Sequence, residues 1–514
     1  MQMKRWPQKP WLLPLLTLVL AVGACQPALL TPPRLASATA QRPLAPTVNP
    51  TPLFVPAPTA TPASEAERAT PMPDRPNPRL TVWVNETSPA HEAALQQMME
   101  PFGRDHQISV ELVSVPSALL PELLETAVLS DTLPDIVLHP IEYTVGWAER
   151  GILDPAQANA IIDSLGRDSF DAAALDLVNV DGLTAAIPSD GYKQLLVYRQ
   201  DWAAEKGLPR IDSYEAMMTA AEAFHEPDNL IAGIVMPTES NLIATHQAFE
   251  QLAAANGCQL IDDSGKVRLL DAACNEALDF YYAIVHQFSP VGVQTDISTR
   301  NAYLSGRAGV IISSPSILPI LAGLSEEFRP DCPDCLGSGG RDYLARNSMV
   351  ITEIQGFTDT SASFGEVTYL GVTRAADPQT AAAFAAYWFN DGYLTWLSVE
   401  PERKVPMRLG TRSDPRRFLD AWKTLPLVPD GASLAEIYGP DLVERLSTGI
   451  AASNRWGFRQ GQGALMSAVY EKLTFSVTLQ EMLSGYFTSE QTLLEAYTRV
   501  IDLIPGYTAD SAEG

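Results

Sequence analysis

Leu80-Thr81-Val82-Trp83-Val84 is a near-continuous apolar run of the kind that forms a buried strand. Leu95, Met98, Met99 and Phe102 then recur at helical spacing, and Ile108, Val110 and Leu112 alternate as a second strand. Leu119, Leu120, Leu123, Leu124, Ala127 and Val128 mark another amphipathic helix, ending before the strand Asp135-Ile136-Val137-Leu138. Strand, helix, strand, helix, strand in this order predicts right-handed crossovers and a parallel sheet covered on both faces. Ligands in such sheets sit beyond the carboxyl ends of the strands. The loops Asn85-Glu86-Thr87-Ser88 and His139-Pro140-Ile141-Glu142-Tyr143 are therefore the first to consider.

Further along, Thr184-Ala185-Ala186-Ile187 and Leu195-Leu196-Val197-Tyr198 read as strands bracketing a turn at Pro188-Ser189-Asp190-Gly191-Tyr192-Lys193. A helix is predicted over 212–225, and strands over Ala232 to Met236 and Ala308 to Ile312, the latter ending at Ser313-Ser314-Pro315-Ser316. Asp377-Pro378 supplies a capping carboxylate and a first-turn proline for a helix from Ala381 to Phe389. From Glu436 onward the pattern is helical. No segment repeats at the roughly 20–50-residue period of a solenoid.

The first 78 residues follow different rules. Lys4, Arg5 and Lys9 precede the apolar run from Trp11 to Leu20, and Val22-Gly23-Ala24-Cys25 closes it, the grammar of an export signal. The last four residues resemble the bacterial lipobox, which implies a lipid on the Cys25 sulfur and cleavage before it. Residues 26–78 hold 14 of the 41 prolines, mixed with Thr, Ala and Ser, and are expected to form a disordered, semi-rigid stalk. The run from Trp11 to Val22 is interrupted by Pro14 and falls short of the roughly 20 residues a spanning helix needs.

Composition narrows the function classes. The chain has 514 residues, 35 Lys+Arg and 61 Asp+Glu, a net charge of −26 that argues against nucleic-acid binding. Residues 1–78 carry seven of the basic and three of the acidic residues, so the body from Arg79 is at −30 and owns the acidity. An acidic surface favours solubility and names no ligand. In an oxidising compartment the remaining cysteines allow three pairings, of which proximity favours Cys258 with Cys274 and Cys332 with Cys335. The first would brace a hairpin turning at Asp263-Ser264-Gly265. Cys332-Pro333-Asp334-Cys335 reads as loop, whereas a thioredoxin-like centre opens a helix after a strand. A structural disulfide is the expectation there, and no second Cys or His pair follows at zinc spacing.

His-Glu-x-x-His, Gly-x-Ser-x-Gly and phosphate-loop motifs are absent, and the six histidines make no metal-ligand spacing. Gly337-Ser338-Gly339-Gly340 lacks the flanking strand and helix of a dinucleotide site. These observations favour binding over catalysis, with no metal and no cofactor.

Several blocks in order over nearly all of 79–505 resemble the family 1 extracellular solute-binding proteins of ABC importers, the group that includes maltose-binding protein. They are Leu133-Pro134-Asp135-Ile136-Val137 with Trp147 to Pro155, Asp181 to Pro188 with Leu196 to Asp201, Asn256-Gly257, Ala302 to Gly309, and Lys404-Val405-Pro406-Met407-Arg408. Arg199, where Asn is usual, and the Cys/Gly insertion at 332–340 depart from the family pattern. The resemblance implies an α/β, periplasmic-binding-protein-like fold: two lobes over 79–505, formed discontinuously, with a first hinge crossing near 188–193, a ligand cleft between them, and a flexible tail at 506–514. It implies a cleft lined by Glu86, Thr87, Tyr143, Asp190, Tyr192, Glu239, Ser314, Ser316, Glu366, Thr368, Trp456, Phe458 and Arg459. Aromatic faces stack on sugar rings and carboxylates accept sugar hydroxyls, so a carbohydrate is the expected solute. The implied partners are that solute, ABC permease subunits and, through the anchor, the outer face of the cell membrane, the protein itself being a monomer. The alternatives are a surface glycosidase, a thiol-disulfide protein using Cys332 and Cys335, or a solute sensor using the same cleft.

Overall fold

A computed structural model describes residues 78–85 and 87–507. The export signal, Cys25, the Pro-rich stalk, Glu86 and the tail from 508 lie outside the described residues. Two sheets organise the described chain. The larger has six strands in the spatial order Val405–Pro406, Ile187–Lys193, Gly365–Val372, Ile136–Pro140, Arg79–Val84, Ser109–Ser114. The smaller has four, in the order Ser348–Ile351, Leu195–Arg199, Ala308–Ser313, Ala232–Val235.

Arg79–Val84 runs parallel to both Ser109–Ser114 and Ile136–Pro140, as the strand and helix alternation predicts. The sheet as a whole is mixed, because Gly365–Val372 returns from the far part of the chain and pairs antiparallel with Ile136–Pro140 and Ile187–Lys193. The helices Pro89–His106 and Pro378–Asn390 cover one face, and Phe102 meets Phe384 edge-on at 5.3 Å. The Asp377 carboxylate caps the second of these helices, accepting from the Thr380 amide at 2.8 Å.

The predicted turn at 188–193 is instead a strand, Ile187–Lys193. Pro188 and Gly191 are turn signals in isolation, but tertiary pairing on both edges overrides them. The register slips between Thr368 and Tyr369, next to Pro188, which has no N–H to give to a ladder. The chain passes from the large sheet to the small one at Gln194, whose N–H donates to the Phe364 carbonyl at 3.0 Å. Phe364 lies on the return crossing between Ser348–Ile351 and Gly365–Val372. The two crossings are thus bonded side by side.

Both disulfides join the cysteines that proximity favours, Cys258 with Cys274 and Cys332 with Cys335. The Cys332–Cys335 segment is not irregular loop: Cys332 caps a short helix, Pro333–Leu336, and its Sγ accepts from the Cys335 amide at 3.1 Å. No strand leads into it. From Leu434 to Ile501 the described chain carries helices and no strand, in agreement with its pattern, with a run of turns at 448–462 between helices Pro440–Ser447 and Gly463–Glu471. No helix of the described residues is long and apolar enough to cross a membrane.

Candidate functional site

The two hinge-side strands bring four of the expected site residues together. Tyr192 lies opposite Glu366, and Asp190 opposite Thr368, in the antiparallel register of Ile187–Lys193 and Gly365–Val372. Residues two apart in a strand share a face, so the four stand on one surface at the crossing. Glu239, Ser314 and Ser316 follow the carboxyl ends of Ala232–Val235 and Ala308–Ser313 in the smaller sheet, where ligands of parallel strands collect. The Ser314 and Ser316 hydroxyls are 2.6 Å apart. Thr87 is exposed in the loop after the first strand.

Not all of these side chains are available. The Asp190 carboxylate accepts from Ser189 Oγ at 2.7 Å and from Trp396 Nε1 at 2.6 Å. Tyr143 is buried and stacked on Trp147 with ring centroids 5.0 Å apart. Trp456 is buried with its Nε1 donating to the Cys258 carbonyl at 2.9 Å, and Phe458 is buried under the Arg455 guanidinium. Arg459 is exposed, donates to the Ala452 carbonyl, and lines two cavities of about 410 and 420 Å³. One lies against Val145 and Phe458, the other against Cys258 and Trp456. A larger cavity, about 1070 Å³, lies at the opposite end of the small sheet, beside Ala232 and Arg307.

Arg403 and Asp296 join the hinge surface without having been expected there. The Arg403 guanidinium lies 5.3 Å over the Tyr192 ring and bonds Glu400 at 3.0 Å. Burial raises the Tyr192 phenol above its usual range, with Arg403 opposing and Asp296 adding to the rise. Asp296 begins the helix Asp296–Leu304 of the smaller-sheet lobe; it reaches water, but desolvation by the protein around it raises its carboxyl against the pull of Arg300 and Arg403. A phenol, a cation and a carboxylate from both lobes therefore share one field.

Behind this surface lies a buried polar cluster centred on Arg455. Its Nη2 donates to Glu142 Oε1 at 2.9 Å, its Nη1 to Glu366 Oε2 at 3.2 Å, and its Nε to Glu250 Oε1 at 3.1 Å. Tyr470 Oη donates to Glu250 Oε2 at 2.8 Å, and the Trp456 amide to Glu250 Oε1 at 2.8 Å. Gln247 Nε2 reaches both Glu142 Oε1, at 3.2 Å, and Glu366 Oε2, at 3.0 Å. Glu142 and Glu366 belong to the large-sheet lobe, in helix Ile141–Glu149 and strand Gly365–Val372, while Gln247 and Glu250 belong to helix Ile243–Ala255 of the other.

Gly365 makes this approach feasible: a Cβ there would meet the Ile450 carbonyl at 2.1 Å, so glycine lets the Ile450 to Arg455 segment lie against the hinge. Burial opposes ionisation of Glu250, but Arg455 and His246 outweigh it and hold the carboxyl down at about 2. Burial lowers the His246 imidazole, and the Glu250 carboxylate beside it partly opposes this. The sequence signal for this cluster was the polar set His246, Gln247, Glu250 and Gln251 on one short, otherwise apolar helix.

A family model described as bacterial extracellular solute-binding protein matches residues 97–399. The chain belongs to this family. Among relatives of this solute-binding protein, the Escherichia coli (strain K12) putative ABC transporter periplasmic-binding protein YcjN is 22% identical over 323 residues, covering 62% of this chain and 70% of its own. Maltose-bound T. maritima MalE3 superposes with a TM-score of 0.64 at 18% identity, over 83% of this chain and 100% of its own. A Thermotoga lettingae solute-binding protein bound with α-D-tagatose gives 0.64 at 17%, over 83% and 99%. At such identities the likeness establishes a shared fold, the MalE-like arrangement of two α/β lobes about a hinge.

Proposed function

We propose that this chain is a lipid-anchored, extracytoplasmic receptor of an ABC importer that captures a sugar or oligosaccharide by closing its two lobes and hands it on unchanged. Residues 1–24 would be the signal peptide, Cys25 the lipidated residue, and 25–78 the stalk that holds the 79–505 body off the membrane, with 506–514 as tail. Permease subunits would be its partners and the protein would act as a monomer.

The observation that carries this reading is the hinge surface: Tyr192 paired with Glu366 and Asp190 with Thr368, with Asp296 of the other lobe close enough to bear on the Tyr192 phenol. A phenolic ring, a hydroxyl, the Asp296 carboxylate and a guanidinium are the groups that stack on a sugar and exchange hydrogen bonds with its hydroxyls, with Asp190 and Glu366 standing behind them, already bonded to Trp396 and Arg455. Ligand contacts in both lobes would stabilise the closed form by their differential affinity, with no covalent step. The sugars named for the T. maritima and T. lettingae structures support the same class. Glu239, Ser314 and Ser316 are proposed as contacts from the second lobe, and Thr87, Glu86 and Arg459 as contacts at the rim.

The test is a thermal-shift panel of sugars, polyols, amino acids and polyamines on the full chain, with the stabilising compound recovered afterwards. A saturable rise in melting midpoint with a sugar recovered intact supports capture. A recovered compound that has been hydrolysed, or stabilisation by amino acids or polyamines alone, contradicts the proposal.

A further inference from the structure

The cluster around Arg455 holds three carboxylates against one guanidinium, all buried. Buried carboxylates need pairing or a proton, because desolvated charge is costly. Glu250 is fully engaged by Arg455, Tyr470 and the Trp456 amide. Glu142 and Glu366 are not: Oε2 of the first and Oε1 of the second are buried and receive no hydrogen bond. Their other oxygens meet at a single donor, Gln247 Nε2, which comes from the opposite lobe. A proton on one carboxyl lets the two carboxyls bond each other instead of repelling and removes one of the excess charges.

We propose that Glu142, Glu366 and Gln247 form a proton-holding clasp across the lobe boundary: the two carboxyls share a proton while Gln247 bonds both, and the proton passes to solvent when the lobes part. The surroundings favour the protonated pair. Burial, followed by the Glu142 charge, raises the Glu366 carboxyl well above its ordinary value, and Arg455 only partly opposes this. The charged and titratable groups facing the pair are Arg455 from the hinge-side loop, His246 and Glu250 from helix Ile243–Ala255, Tyr470 from helix Gly463–Glu471, His139 from strand Ile136–Pro140, and Tyr143, Tyr192 and Tyr369 from the large-sheet lobe. Burial lowers the His246 and His139 imidazoles and raises the phenols, which disfavours each of them as the holder of the proton in place of the carboxyls.

Parting the lobes removes Gln247 and admits water, which returns the Glu366 carboxyl toward its ordinary range and releases the proton at neutral pH. A carboxyl raised in the packed state stabilises that state fully below its ordinary pKa, and the contribution is lost as pH rises through the raised value. Alkaline conditions therefore loosen the clasp. This holds for any solute and rests on the two-lobe fold alone.

The test uses the full chain with spin labels at Leu129→Cys and Leu230→Cys, positions 88% and 71% exposed on the two lobes. The population at long interlobe distance is expected to rise several-fold between pH 5 and pH 8. Glu366→Gln, whose amide supplies the same hydrogen to Glu142 but cannot ionise, is expected to abolish the rise, and Glu142→Gln to do the same. Melting midpoints at pH 5 close to that of the parent show that the variants fold, so that either one can serve as the control for the other. An interlobe distance that ignores pH in the parent, or a pH response that survives in the folded variants, overturns the clasp.

Discussion

Arg199, buried to 1% at the end of strand Leu195–Arg199, places its Nη2 3.6 Å from Asp334 Oδ2 inside the Cys332–Cys335 turn. The same guanidinium bonds Asp201, with Nε to Oδ1 at 2.8 Å, and lies 4.3 Å over the Trp202 ring. Tyr343 completes the set, donating to Asp201 Oδ2 at 2.9 Å. The two departures from the family pattern, the arginine and the 332–340 insertion, are one physical unit: the arginine anchors the insertion.

Arg199→Asn is therefore expected to cost about 1–3 kcal/mol, the usual loss when a charge-assisted hydrogen bond to a partly exposed carboxylate is removed, since Asp201 and Asp334 keep access to water. The measurement is urea denaturation of the full chain. Limited proteolysis should show new cleavage within 336–340, where Leu336 is already 75% exposed.

The Arg455 cluster gives a larger stake in one residue. Arg455→Met leaves Glu142, Glu250 and Glu366 without their common cation, and a loss of about 3–5 kcal/mol or failure to fold is expected. Arg455→Lys should not rescue it, because an ammonium cannot meet three carboxylates with the planar fork that Nε, Nη1 and Nη2 provide. Tyr470→Phe, which removes one donor to Glu250, is expected to cost only about 1–3 kcal/mol in the same denaturation series.

The disulfide between Cys258 and Cys274 closes a loop with a sequence separation of 16. Replacing both cysteines by serine is expected to lower stability by about 3 kcal/mol through the freed denatured chain. Calorimetry with and without reductant checks it, the reductant having no further effect on this loop in the double variant. Trp456 hangs from the Cys258 carbonyl, so its fluorescence should redden when the loop is released.

Glu402 sets a pH dependence of its own. It is 3% exposed, its Oε2 is unpartnered, and burial, followed by the Glu400 charge, pushes its carboxyl up to about 7. The folded-state value lies above the unfolded one, so the protein is stabilised at acid pH relative to alkaline, and the contribution is lost as pH rises from the ordinary carboxyl value through about 7. A shift of this size corresponds to roughly 3 kcal/mol. Glu402→Gln should flatten that part of the stability curve, read as the difference in melting midpoint between the two proteins at pH 5 and pH 8.

The local elements were legible in the sequence where one face is apolar and the ends carry their own signals. Leu80 to Val84, the helix opened by Asp377-Pro378, and the hairpin at Asp263-Ser264-Gly265 needed nothing from elsewhere in the chain. Ile187–Lys193 was misread because Pro188 and Gly191 are turn formers until two neighbouring strands pair with them. The carboxylate cluster was hidden for a related reason: Arg455 and Glu142 are 313 residues apart, and charge pairing over such a distance leaves no periodicity. Family likeness placed Tyr192, Glu366, Asp190 and Thr368 on one surface. It did not reveal that Asp190 is taken up by Trp396, because side-chain commitment depends on packing rather than on residue type.

Capture by lobe closure is tested most directly by the interlobe distance between labels at positions 129 and 230, measured with and without a saturating sugar from the thermal-shift panel. The distribution should collapse to a single shorter distance when the sugar binds and return when it is dialysed away. A distribution identical in the two conditions, with the sugar demonstrably bound, would contradict the account.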